Sequence, residues 1–255
     1  MPVERDARQE RQEAEYDFPY HYIPLARSGS CSQTLHWPWG MRYLAGLELV
    51  FSVLSRMEFS SVLDVGCGDG RFLRELRGRW PGVKSLGVDY SEKAIALARA
   101  LNPSMDFECL DINHYCFNEQ YEVITLIEVL EHIPIGDVSR FLESLVSALV
   151  KGGSLVLTVP HVNRKLQLKH FQHFSSSHLR DVLSQYFQVI EIVPFDRRTK
   201  ATSMLSRLLG GTGSHFVITN KRINRLLFDL ILRECLSMQP EEHCGRLLAV
   251  ARCPL

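Results

Sequence analysis

The sequence predicts a doubly wound α/β fold, and three observations carry that expectation. From residue 60 onward, short apolar runs alternate with stretches of helical spacing, and the alternation continues along most of the chain. The first apolar run, Val62-Leu63-Asp64-Val65, ends in Gly66-Cys67-Gly68-Asp69-Gly70, a tight turn of the kind that feeds a strand into a helix. Capping and stopping residues fall between the runs: Ser91 before a helix ending at Leu101, and Gly152-Gly153 after the run that begins at Val138.

The elements follow in order. Residues 1–15 are almost all charged or polar and read as a frayed tail or a solvated helix. Residues 16–40 combine Pro19, Pro24 and Pro38 with Tyr16, Phe18, Tyr20, Tyr22, Trp37 and Trp39. Proline interrupts regular structure, so this segment is expected to lie over the domain, as a surface strap or as a lid on an active site. Residues 41–57 are helix-compatible. Strands are expected at 61–67, 85–90, 105–110, 121–127, 154–160, 187–195 and 246–253. Helices are expected at 69–79, where Pro81 stops the chain, and at 175–186. A core-facing helix carries Val138, Phe141, Leu142, Leu145, Val146, Leu149 and Val150. The stretch 196–244 is long for a connection and reads as an inserted cap. It holds a basic, glycine-rich loop and a helix with Ile223, Leu226, Leu227, Leu230 and Ile231 on one face. The expected organisation is a tail and strap over 1–40 and one domain over 41–255, with the cap at about 196–244.

Composition narrows the function classes. The chain has 255 residues, 45% of them hydrophobic, with 29 Lys+Arg against 29 Asp+Glu. That is ordinary globular composition, and the neutral balance gives no electrostatic case for binding nucleic acid. No apolar run approaches the roughly 20 residues that span a bilayer. The charged N-terminus lacks the apolar core of a signal peptide, and the seven cysteines form no CxxC. A cytoplasmic protein with reduced thiols is expected; its oligomeric state is left open.

The glycine turn is the strongest chemical signal. Its GxGxG spacing differs from the GxGxxG of dinucleotide sites. The second strand ends in Asp89, where a carboxylate can accept both hydroxyls of a ribose. The third ends in Asp111, placed to accept from an adenine amino group. In combination, VLDVGCGDG, GVDYS and LDIN resemble the motifs of the class I S-adenosylmethionine-dependent methyltransferases. VKGGSLVLTVP resembles that family's KPGG motif, with Gly152 in place of the proline. The resemblance covers about residues 41–195 and the last strand. It implies a Rossmann-like, seven-stranded doubly wound sheet, mostly parallel with a final antiparallel strand. It also implies S-adenosylmethionine as methyl donor. Gly66 and Gly68 would contact its amino-acid part, Asp64 would orient that loop, Asp89 and Tyr90 would hold the ribose, and Asp111 with Ile112 would border the adenine.

Glu128, Glu131 and His132 follow the fourth strand. If the chain turns helical there, they share one face at the carboxyl edge of the sheet, where substrates of open α/β folds bind. Two carboxylates and an imidazole suit a divalent cation such as Mg²⁺ or Mn²⁺, with a further ligand from His170 or His173. EVLEHI resembles both the ubiquinone-biosynthesis O-methyltransferases and the small-RNA 3′-end 2′-O-methyltransferases. The latter's metal site, an ExxEH and a later histidine, would map to Glu128, Glu131, His132 and His170. Their FEWTR-like signature is missing from this chain. Alternatively, Glu128 contacts donor or substrate, and His132 is structural or a general base. His161, after the fifth strand, is a candidate base or substrate contact, or a loop histidine. His21 and Tyr22 belong to the lid. Arg197, Arg198 and Lys200 are either a solvated face or the holder of an anionic substrate such as a phosphate or sugar nucleotide. The expected activity is O-methylation of a small molecule, sugar or glycan, with His132, His161 and Glu128 as catalytic candidates. An N-methyltransferase, an RNA 2′-O-methyltransferase and a non-catalytic donor-binding partner subunit are the alternatives.

Overall fold

A computed structural model describes residues 7–13, 16, 25–27, 30–32, 37–114, 117, 119–209, 220–237 and 240–254. One seven-stranded sheet organises them. Its strands are β1 (Ser61–Val65), β2 (Lys84–Asp89), β3 (Asp106–Cys109), β4 (Tyr121–Ile127), β5 (Leu149–Pro160), β6 (Gln188–Phe195) and β7 (Arg246–Arg252). Their spatial order is β3-β2-β1-β4-β5-β7-β6. All pairs from β3 to β5 are parallel, and β7 runs antiparallel between β5 and β6. The fold is therefore the doubly wound, mostly parallel sheet with a final antiparallel strand that the sequence predicts.

Helices cover both faces because successive strand residues point to opposite sides. Leu63 and Val65 face a core shared with α5 (Val138–Ala148) and α6 (Ser176–Leu183), while Val62 faces α2 (Trp37–Leu54), α3 (Arg71–Arg79) and α4 (Glu92–Leu101). Local sequence sets the helix starts. The Ser91 hydroxyl accepts from Ala94 N–H at 3.1 Å, and the Ser175 hydroxyl from His178 N–H at 3.2 Å. Gly70, at φ 77°, takes the left-handed conformation that turns the chain from β1 into α3.

The winding reverses between β1 and β4, so the crevice of an open sheet opens at their carboxyl ends. Gly66–Gly70 leaves β1 there, and Glu128–His132 leaves β4 there. Because β7 is antiparallel, its first residue, Arg246, reaches the same edge.

Several expectations are corrected. Residues 7–13 form a helix, α1 (Ala7–Glu13), that is not simply solvated: Glu13 is buried and Arg8 Nη1 donates to the His170 carbonyl at 2.7 Å. The strap over 16–40 lies largely outside the described residues, His21 and Tyr22 included. Its last residues, 37–40, are instead the first turn of α2, where a proline is tolerated. A short antiparallel ladder pairs Leu25–Arg27 with Ser30–Ser32. α5 ends at Ala148, so Leu149 and Val150 are strand, not helix. Leu149 pairs with Tyr121, and the missing Cβ of Gly153 lets the backbone of Val150 and Glu122 approach. Between β6 and β7 stand α7 (Lys200–Leu208) and α8 (Lys221–Leu236). Of the apolar face expected on α8, Leu227 and Ile231 are buried, whereas Ile223, Leu226 and Leu230 are exposed. Among the described residues no helix is long and apolar enough to cross a membrane.

Candidate active site

A cavity of about 1200 Å³ lies at the carboxyl edge of the sheet. That is room for a donor and an acceptor together. Its walls come from α1, the glycine turn, the end of β4, the loop 163–170, the start of α7 and the approach to β7.

At one end stands the glycine turn. Gly66 and Gly68 have φ of 70° and 55°. A Cβ on Gly66 would meet Val129 Cγ2 at 2.4 Å, so only glycine lets this turn and the end of β4 approach so closely. A Cβ on Gly68 would lie 3.3 Å from the Tyr16 hydroxyl, which stands over the turn. Asp89 staples the turn to β2: its carboxylate accepts from Gly68 N–H at 3.0 Å and Ser91 N–H at 2.9 Å. Asp64, beneath the turn, accepts from the Thr125 hydroxyl at 2.7 Å. Burial pushes Asp64 up to about 7 and Asp89 up to about 6, the latter against the lowering effect of its backbone donors. Asp64, Asp89, Tyr90, Asp111 and Ile112 do not line the cavity, whereas Gly66 and Gly68 do. Asp111 caps its own turn by accepting from Asn113 N–H at 2.9 Å. The open glycine backbone, which lines the cavity and carries no Cβ, fits the amino-acid part of S-adenosylmethionine.

In the middle of the cavity the structure gathers acceptor groups. Leu130–His132 is a single 3₁₀ turn, and Glu128 before it has φ 56°, so the continuous helical face expected for Glu128, Glu131 and His132 does not form. Glu131, His132 and His170 nevertheless offer ligand atoms within 4.8 Å of one another, and Glu128 is outside this group. The hydrogen bonds fix both imidazole tautomers. His132 Nδ1 stands 3.1 Å from the Lys169 carbonyl, which only accepts, so Nδ1 carries the proton and Nε2 keeps its lone pair. His173 Nδ1 likewise donates to the Arg164 carbonyl at 3.1 Å. Its Nε2 must then accept from His170 Nδ1–H at 2.8 Å, which leaves the His170 Nε2 lone pair free as well.

Glu131 is 1% exposed, and among the described residues neither of its oxygens has a hydrogen-bond partner. Burial, then Glu128, holds its carboxyl well above the ordinary range. Burial also pushes His132 down to about 4, which makes it neutral near pH 7 and a weak proton acceptor. Two imidazole lone pairs and a carboxyl that a bound cation would hold ionised fit a divalent cation: a carboxylate with two imidazoles is a common ligand set, and each imidazole is braced through its other nitrogen.

Beyond this cluster the wall is basic. Buried Asp196, at φ 63°, accepts from Arg42 Nη1 at 2.8 Å and from Arg164 Nη2 at 2.7 Å. Arg42 Nη2 also donates to Glu234 at 2.6 Å, joining α2 to α8. Arg246 Nε lies 3.5 Å from Glu128 and 3.7 Å from Asp196. Sequence reasoning missed this network. Arg42 within an apolar helix and Arg246 opening an apolar strand were its only local signals.

His161 is not brought into the cavity. It is 3% exposed, its Nε2 lies 2.8 Å from Glu241 Oε1, and its Nδ1 accepts from Asn163 N–H at 3.0 Å. Both nitrogens are used in holding loops together, which corrects its candidacy as a base.

Comparison with known proteins agrees with this geometry. A family model described as a methyltransferase domain matches residues 41–192. A trans-aconitate 2-methyltransferase from Variovorax paradoxus is 34% identical over 104 residues, covering 40% of this chain and 39% of that protein. A ubiquinone biosynthesis O-methyltransferase from Idiomarina loihiensis is 32% identical over 110 residues, covering 41% and 44%. The chain thus matches about two fifths of the length of these curated relatives. Among solved structures, the N-methyltransferase NodS from Bradyrhizobium japonicum in complex with S-adenosylhomocysteine aligns at a TM-score of 0.55, with 18% identity over 86% of this chain and 89% of that one. The [4+2]-cyclase SpnF aligns at 0.62, with 17% identity over 100% and 98%. At such identities these two establish the fold alone.

Proposed function

The chain belongs to the class I S-adenosylmethionine-dependent methyltransferases, and from that premise we propose that it methylates an oxygen of a small-molecule or glycan acceptor. The observation that carries this reading is the His132 Nε2 lone pair, fixed by the Lys169 carbonyl and lining the same cavity as the glycine turn. The donor's sulfonium needs no activation by protein groups. The protein's task is to align acceptor oxygen, methyl carbon and sulfur, and to take the acceptor's proton. In the proposed step the oxygen lone pair bonds to the methyl carbon, the C–S pair passes to sulfur, and the O–H proton passes to His132 Nε2. In this reading Gly66 and Gly68 bear the donor's amino-acid part. Asp89 and Tyr90 turn to the ribose, Asp64 and Asp89 hold the turn in shape, and Asp111 with Ile112 edges the adenine. α1, with Gln12 lining the cavity and Tyr16 just after it, closes the donor end.

A second reading is favoured by the unpartnered Glu131 and the two free imidazole lone pairs: Glu131, His132 and His170 hold a divalent metal. The mixed carboxylate and imidazole set suits Mn²⁺, Fe²⁺ or Zn²⁺ better than Mg²⁺. A bound metal would lower the pKa of the acceptor hydroxyl. Glu128, apart from that group, then faces the acceptor. The test is release of S-adenosylhomocysteine with a panel of hydroxyl and amine acceptors, in excess EDTA and after return of Mn²⁺ or Mg²⁺. Methyl on oxygen, located by mass fragmentation, is expected; methyl on nitrogen would overturn the oxygen assignment. Full rate in EDTA would remove the metal and leave His132 as proton acceptor.

A further inference from the structure

We propose that the acceptor carries an oxyanion, a carboxylate or a phosphate, and that Arg198 and Lys200 bind it with Arg246 behind them. This rests on the reading that the donor occupies the glycine-turn end of the cavity.

The first observation is charge. Around Asp196 lie Arg42, Arg164, Arg198 and Arg246, all near enough to act on it electrostatically. Its two carboxylate oxygens are already taken, one by Arg42 and the other by Arg164. Glu234 is engaged by Arg42, Thr199 and Thr202. Arg197, Arg198 and Lys200 line the cavity, and their side chains make no hydrogen bond to a described residue. Burial and the neighbouring guanidiniums of Arg246 and Arg198 push Arg164 down to about 10, as expected where positive charge is in excess. A bound anion would offset that crowding.

The second is an orphaned donor. Arg246 is 5% exposed, lines the cavity, and its buried Nε has no hydrogen-bond partner among the described residues. Its carboxylate neighbours stand at 3.5 and 3.7 Å, too far for a good hydrogen bond. A buried guanidinium N–H without an acceptor is costly, and a ligand oxygen would satisfy it.

The third is preorganisation. The loop that presents Arg197 and Arg198 is pinned from behind: Arg42 donates to the Arg197 carbonyl at 2.9 Å, and Thr199 N–H to Glu234 at 2.6 Å. Glu128 and Asp196 are the non-glycine residues of the described chain with positive φ, and both face Arg246. Backbone strain held at two points beside one arginine fits a built site. Sheet order separates this wall from the donor end, since β6 lies four strands from β1. At about 4.8 Å per strand, the oxyanion would sit well along the edge from the glycine turn.

The full chain, with S-adenosylhomocysteine bound, should be titrated calorimetrically with citrate and, separately, with inorganic phosphate, against chloride at matched ionic strength. Saturable binding of at least one is expected, and which one binds assigns the carboxylate or the phosphate. Arg198→Ala/Lys200→Ala should weaken that binding at least tenfold while S-adenosylhomocysteine affinity stays within about twofold. Both side chains are exposed, so the variant is expected to fold. No binding beyond chloride, or equal binding by wild type and variant, overturns the proposal. Displacement of S-adenosylhomocysteine by the anion would overturn instead the division of the cavity on which it rests.

Discussion

Replacing Gly66 with alanine asks whether the glycine turn is set by packing against β4 as well as by the ligand. At φ 70° a residue with a Cβ pays about 1–2 kcal/mol for the left-handed conformation. The new Cβ would also fall 2.4 Å from Val129 Cγ2 and 3.1 Å from Cγ1. Val129 follows a residue already at φ 56°, so the β4 side cannot move away freely. Overpacking of this kind costs a further 1–3 kcal/mol or so, for a total of about 2–5 kcal/mol. Val129→Ala alone removes two methyl groups from a partly buried side chain and should cost about 1–1.5 kcal/mol. In the double variant the clash is gone, and the left-handed cost and the lost methyl groups remain. Urea denaturation of the four proteins should therefore show a favourable coupling of about 1–3 kcal/mol between the two substitutions. Additivity to within about 0.5 kcal/mol would refute the packing argument. Calorimetry with S-adenosylhomocysteine separates the second role. If the turn also bears the donor, the double variant regains stability without regaining donor affinity.

Three further outcomes are expected. Asp89→Ala should weaken S-adenosylhomocysteine binding by about 2–3 kcal/mol, the scale of charge-assisted hydrogen bonds, and unchanged affinity by calorimetry would sink its assignment. Asp64, held up to about 7, contributes stability that is present below its unfolded pKa and is lost as pH rises through about 7. Asp64→Asn keeps an acceptor for Thr125 and should gain about 2–3 kcal/mol relative to wild type between pH 5 and 8.5; a pH-independent difference between their urea midpoints would contradict this. Arg42→Met leaves Asp196 and Glu234 without their shared guanidinium and should cost about 3–5 kcal/mol at pH 7. Burial opposes ionisation of both acids, but Arg246, Arg164 and Arg42 hold Asp196, and Thr199, Thr202 and Arg42 hold Glu234, below the ordinary range. Their stabilisation is thus present above about pH 4 and lost as pH falls further, so the penalty of Arg42→Met should shrink on acidification.

The glycine-turn end of the cavity is legible in the sequence because its parts are local. A buried strand, a glycine turn and a capped helix are contiguous, and each signals itself through its own neighbours. The end of β2 at Asp89 follows by the same rule, whereas Asp111 stands two residues past the end of β3. Glu128, Glu131 and His132 stand out in the sequence for the same reason, although the helical face expected of them fails at the positive φ of Glu128. Strand-end geometry, not helical spacing, brings Glu131 and His132 together.

The basic wall is not legible in the sequence, because it is assembled from distant pieces. Arg42 meets Asp196 across 154 residues and Glu234 across 192, and no local periodicity encodes such a meeting. His161 shows the converse. Its position at the carboxyl edge of β5 made it a candidate, but the chain consumes both its nitrogens, one on Glu241 and one on Asn163. His170, whose sequence context says less, keeps its Nε2 lone pair free because its Nδ1–H donates to His173 Nε2. Availability of a lone pair is decided by the partner of the other nitrogen, and that partner is set by tertiary packing. Position along the sheet edge therefore nominates candidates, and the hydrogen-bond chain behind each imidazole selects among them.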